Sequence, residues 1–97
     1  MFIVSLNYIK PLSEIEAYLP AHIDYLDRHY AAGTFLLSGR KEPRTGGVII
    51  MRADSRAQAE AVIAEDPFYQ AKLAEYQITQ FIPTKTAADL AAYRETL

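Results

Sequence analysis

The sequence predicts an α+β domain of the ferredoxin-like type, with element order βαββαβ, an antiparallel sheet and its helices on one face. Three observations predict it. Two apolar runs, Phe35-Leu36-Leu37-Ser38 and Val48-Ile49-Ile50-Met51, are too short for helices and are bounded by glycine, so they read as a pair of strands. Two capping-box patterns, Ser13-Glu14-Ile15-Glu16 and Ser55-Arg56-Ala57-Gln58, each open a helical segment. The resulting order of strand, helix, strand, strand, helix, strand is the split βαβ arrangement. Right-handed crossovers then put both main helices on the same side of the sheet.

The first strand is Phe2 to Tyr8, with Phe2, Val4, Leu6 and Tyr8 on its core face. Lys10-Pro11 ends it. A short helix starts at Ser13. Proline disfavours helical geometry in the residue before it, so a break is expected near Leu19. A second helix then carries Pro20 in its first turn and runs to about Ala32. Gly33 is its stop. Leu19, Ile23, Leu26 and Tyr30 form the expected buried stripe, with His22, Tyr25 and His29 beside it. The second and third strands follow, joined by the polar stretch Gly39 to Gly47. After Ser55 a helix presents Ala59, Val62 and Ile63 inward and ends near Glu65. Asp66-Pro67-Phe68-Tyr69 is a turn, followed by a helical turn at Gln70 to Ala74. Tyr76 to Ile82 is the last strand, closed by Pro83. A last helix begins near Thr86, with Leu90 and Tyr93 as its contacts.

Composition bounds the function. Ninety-seven residues make one domain, residues 1–97, with a core over 1–83 and a C-terminal helical extension over 84–97. No cysteine is present, so disulfides, iron–sulfur clusters and thiolate zinc sites are excluded. A net charge of −2 with scattered basic residues argues against nucleic acid. No apolar run approaches the roughly 20 residues of a membrane span. The start, Met1 to Ser5, lacks the features of a signal peptide, so a cytoplasmic location is expected. In the second run Val48 and Ile50 point one way, Ile49 and Met51 the other, so the sheet wants cover on both faces. Both main helices lie on one face, and a homodimer packed through the sheets is therefore expected.

Few residues can carry acid–base chemistry. His22 sits just after Pro20 in a helical first turn, where the helix dipole disfavours the imidazolium and a nearby carboxylate would favour it. The plainer reading is a helix-terminal surface residue. His29 reads as structural. Asp66 is either an acidic partner or a turn opener bonding a following amide. Ser38-Gly39 ends a strand. Arg40, Lys41 and Arg44 are either solvated loop or a rim that attracts an anion. Two histidines seven residues apart without paired carboxylates make a poor metal site, so no metal or cofactor is expected.

Taken together, Pro20-Ala21-His22 with Tyr25-Leu26, Ala32-Gly33, Phe35 to Gly39, Gly46-Gly47, Asp66-Pro67-Phe68 and Pro83 resemble the YCII-related family of dimeric α+β barrel proteins. The resemblance covers roughly residues 1 to 83. It implies a pocket between sheet and helices, with His22 and Asp66 as a catalytic pair and Ser38-Gly39 at the family's serine-glycine position; Ser38, Gly39, Arg40 and Phe68 are expected to contact a small-molecule substrate. Arg40 stands where the family usually has proline. The tail lies outside the common pattern, where it packs on the neighbouring subunit or extends the pocket wall. The expected function is a cofactor-independent enzyme performing elimination, isomerisation or hydrolysis on a small polar or aromatic metabolite, resembling a YCII-related dehydrochlorinase. The alternative is a binding module without turnover.

Overall fold

The computed structural model describes residues 1–97. Strands β1 (Phe2–Tyr8), β2 (Phe35–Arg40), β3 (Gly46–Met51) and β4 (Ala74–Gln80) form one sheet in the order β2-β3-β1-β4. All three pairings are antiparallel. Helices α1 (Leu12–Ala31), α2 (Arg56–Ile63) and the single turn α3 (Pro67–Gln70) complete the core. β1 and β2 are joined through α1 with β3 inserted between them, as the split βαβ reading requires.

Phe2, Val4 and Leu6 of β1 and Ile49 and Met51 of β3 are buried in one apolar cluster with Ile15 and Tyr25 of α1, Ala59, Val62 and Ile63 of α2, and Phe68 of α3. A single cluster with these members requires all three helices on one face. The register puts Ile3, Ile50, Val48 and Leu37 on the other face, where Leu37 is 58% exposed. β3 starts two residues earlier than expected, because Gly46 and Gly47 pair with Asn7 and Leu6 rather than forming loop. A side chain at Gly46 would collide with the Leu6 carbonyl, its Cβ falling 1.8 Å from the oxygen, so only glycine allows this approach.

α1 corrects the reading most. It is one helix of 20 residues that runs through Pro20. Proline in a helix interior costs about 3 kcal/mol. Ile15 and Tyr25, fully buried on either side of Pro20, hold the two halves to the sheet and offset that cost. Ser13 does not cap the helix; Pro11 occupies the N-cap with no side-chain bond. Glu16, the expected partner in that box, instead pairs with Arg44. The buried stripe is also rotated. Ile23 and Tyr30 are exposed, while Tyr25 is buried with its hydroxyl donating to the Val62 carbonyl at 2.9 Å. The stop at Gly33 holds: its φ is +78°, Gly33 N–H donates to Tyr30 and Thr34 N–H to His29.

Ser55 caps α2 as expected, accepting from the Gln58 amide at 3.1 Å. Asp66-Pro67-Phe68 is not a plain turn: Asp66 is the N-cap of α3, which precedes the position expected for a helical turn. β4 accordingly begins two residues early, at Ala74. The tail forms a 3₁₀ helix, Ala88–Tyr93, rather than an α-helix beginning near Thr86. Leu90 is exposed, and the contact falls to Tyr93, whose ring lies 5.4 Å from the Arg52 guanidinium. Glu95 meets the Met1 amine at 3.4 Å. The tail thus docks on its own chain, beside the start of β1.

Candidate active site

The far end of β1 opens into a cavity of about 230 Å³ between the sheet and α1. Leu6 and Ile49 from the sheet and Leu19 and Leu26 from α1 give it apolar walls. Each faces inward by the strand and helix periods. His22 of α1 and Phe68 of α3 form one side, their rings stacked 4.0 Å apart and 3° from parallel. Tyr8, at the end of β1, meets Phe68 edge-on at 6.1 Å and completes that wall.

Asp66 lies behind His22 and is fully buried. Its Oδ1 accepts from His22 Nδ1 at 2.8 Å and from the Phe68 amide at 3.0 Å; its Oδ2 accepts from the Tyr76 hydroxyl at 2.6 Å. Capping α3 thus aims Asp66 at α1. An ionised carboxylate only accepts, so Nδ1 carries a proton in this bond, and in the neutral ring Nε2 keeps the lone pair. His22 therefore presents a proton-accepting nitrogen to the cavity that it lines. Burial, and next the Asp66 charge, push the Tyr76 hydroxyl far above the usual tyrosine range. Burial does the same to Tyr25, with Asp66 and then Glu65 adding to it. Both tyrosines stay neutral.

Ser38, Gly39, Arg40 and Phe68 all line the same cavity as His22. Ser38 Oγ lies 2.6 Å from the Tyr30 hydroxyl. Gly39 is within β2 opposite Val48, on the sheet face away from the helices, and borders the cavity through its backbone. Of the three basic residues beside the glycines, Lys41 donates to Asn7 at 2.8 Å and does not line the cavity. Arg44 lines it but is paired with Glu16 at 3.1 Å. Arg40 lines it without a carboxylate partner. His29 packs edge-on against Tyr25 and meets Glu65 at 3.1 Å, away from the cavity.

Sequence reasoning missed Tyr8 and Tyr76. Tyr8 was visible as the last core-facing position of β1, at the strand end where the apolar layer gives way to the cavity. No local spacing links Tyr76 to His22, and only the packing of β4 beneath α3 brings its hydroxyl to Asp66.

The fold and this arrangement define a ferredoxin-like α+β domain with a histidine–aspartate pair behind a small cavity. The chain matches the YCII-related domain over residues 1–82 and belongs to that family. Comparison with curated proteins returns no match. Among solved structures it is similar to 5-chloro-2-hydroxyhydroquinone dehydrochlorinase from Burkholderia phenoliruptrix AC1100, in complex with 2,5-dihydroxybenzoquinone. The TM-score is 0.70 at 22% identity, over 84% of this chain and 93% of that one. At that identity the likeness concerns the fold. No helix is long and apolar enough to cross a membrane.

Proposed function

We propose that this protein is a small enzyme that moves protons on a compact, anionic, ring-sized metabolite, with His22 Nε2 as the acid–base group. The observation that carries this reading is the 2.8 Å bond from His22 Nδ1 to the buried Asp66, made by a histidine that also lines a cavity. Asp66 sets the tautomer and stabilises the imidazolium once Nε2 takes a proton. The reaction is an elimination, isomerisation or hydrolysis that begins with that transfer. Ser38 and Gly39 border the substrate, and Phe68 offers it an aromatic wall. Arg40, the lining guanidinium free of a carboxylate, meets its negative charge. The cavity, about 230 Å³, is smaller than the roughly 300 to 1,000 Å³ of drug-sized sites, which favours a one-ring compound. The similar dehydrochlorinase acts on a hydroxylated ring of that size, which supports the reading by analogy.

The test uses 2,5-dihydroxybenzoquinone as a binding probe and a panel of hydroxylated, halogenated single-ring acids as substrates. Turnover of one member should fall about 10²- to 10⁴-fold in His22→Ala with the fold intact. Binding without product from any member would leave a ligand-binding module. Unchanged turnover in His22→Ala would reject the acid–base role. The proposal also includes a homodimer closed through the sheet face that carries Ile3, Val48, Ile50 and Leu37.

A further inference from the structure

We propose that Tyr76 is a positioning residue for His22, acting through Asp66. This rests on the reading of His22 as the acid–base group. Three elements meet at the carboxylate: α1 brings the imidazole, the start of α3 brings the carboxylate and the Phe68 amide, and β4 brings the phenol. Oδ1 is shared by two donors, while Tyr76 is the one partner of Oδ2. Asp66 has no exposed surface, so bulk water does not stand in for the phenol. Its carboxylate cannot turn about its own axis without breaking the Tyr76 bond. Such a turn would leave His22 Nδ1 without its acceptor and let the ring proton move to Nε2, where it would block the cavity-facing lone pair.

Tyr76 is suited to the task. Its ring packs edge-on against Tyr69 at 5.5 Å, and its register partner on β1 is Leu6, a residue of the cavity wall. The phenol therefore lies one strand away from the cavity and does not line it. Its hydroxyl stays protonated because burial and the facing carboxylate both oppose ionisation. Tyr76 thus has no contact with substrate, yet its hydroxyl holds the histidine's tautomer.

The experiment reads the His22 ring by ¹⁵N and low-field ¹H NMR at pH 8, without substrate, in the wild type, Asp66→Asn and Tyr76→Phe. The wild type should show one tautomer, protonated on Nδ1, with one sharp low-field proton. Tyr76→Phe keeps the ring packing and removes only the hydroxyl; it should broaden or abolish that proton and bring in the Nε2-protonated tautomer. Should Tyr76→Phe fail to fold, 3-fluorotyrosine at position 76 keeps the hydroxyl and makes it a stronger donor. The Nδ1 proton should then move upfield as Asp66 becomes a weaker acceptor. A sharp Nδ1 proton and single tautomer unchanged in Tyr76→Phe, or in the fluorinated protein where Phe does not fold, overturn the assignment. If Asp66→Asn alters the ring and the Tyr76 changes do not, the histidine–aspartate reading stands while Tyr76 falls. If neither alters it, both fall.

Discussion

Asp66 accepts hydrogen bonds from His22, Phe68 and Tyr76 while having no exposed surface. Truncation by Asp66→Ala leaves those donors unpaired inside the protein. Each buried donor left unsatisfied costs about 1 to 3 kcal/mol, and a urea midpoint should register that loss. Tyr25 and Tyr76 give a second residue-scale expectation. Both hydroxyls are raised above the ordinary 10.0, so the fold holds these protons more tightly than the unfolded chain does. That stability is complete below pH 10 and is lost as pH rises above it, by roughly 1.4 kcal/mol per pH unit for each tyrosine. Urea melts between pH 8 and pH 11 should show the decline, and it should be shallower in Tyr25→Phe. A flat profile would contradict the burial assigned to these hydroxyls. His22 was legible as a candidate from its residue type and place on the helix. Its pairing with Asp66 came only from the family resemblance and from no local spacing, because 44 residues separate them and the distance between them is set by folding.

At the scale of elements, α1 shows how tertiary contact overrides a local rule. Pro20 withholds one backbone donor and disfavours helix at Leu19. Those facts predict a break, and the break is absent because Ile15 and Tyr25 are anchored in the core on both sides. Pro20→Ala should therefore stabilise the protein by about 1 to 2 kcal/mol, the regained hydrogen bond outweighing the looser unfolded chain, with an unchanged circular dichroism spectrum. α3 ends on a different local strain. Lys72 has φ of 57°, a left-handed conformation, with its N–H donating to Tyr69 and the Leu73 N–H to Phe68. Lys72→Gly should relieve it and stabilise by about 0.5 to 1 kcal/mol, measurable as a higher melting temperature. Ser55 and Gly33 were read correctly because a cap and a left-handed stop depend on a few adjacent residues. Ser13 was misread because the same cap pattern was pre-empted by Pro11, and Glu16 was drawn away to Arg44.

At the scale of the whole molecule, one sheet face carries the helices and the other carries Ile3, Val48, Ile50 and Leu37. Covering roughly 600 to 800 Å² of such surface per subunit matches a standard-size interface and favours association by several kcal/mol. Sedimentation at micromolar concentration should find a dimer, and Leu37→Glu should shift it toward monomer with the fold retained. A wild-type monomer under those conditions would remove the dimer from the proposal. The tail does not bear on the cavity. It closes over the opposite end of β1 through Tyr93 and Glu95, so trimming it should lower stability without altering ligand binding.

The amino-acid order alone determined the strands and their faces, the cap of α2, the stop of α1 and hence the βαββαβ architecture, because alternation, capping and glycine geometry act over a few residues. Folding decided what those short-range rules leave open. It rotated α1 until Tyr25 and His22 faced inward, carried it through Pro20, and turned an Asp-Pro turn into a capped helix aimed at the imidazole. It also slid Tyr76 beneath the carboxylate. Each of these depends on contacts between residues far apart in the chain, where buried area and hydrogen-bond pairing outweigh local preference.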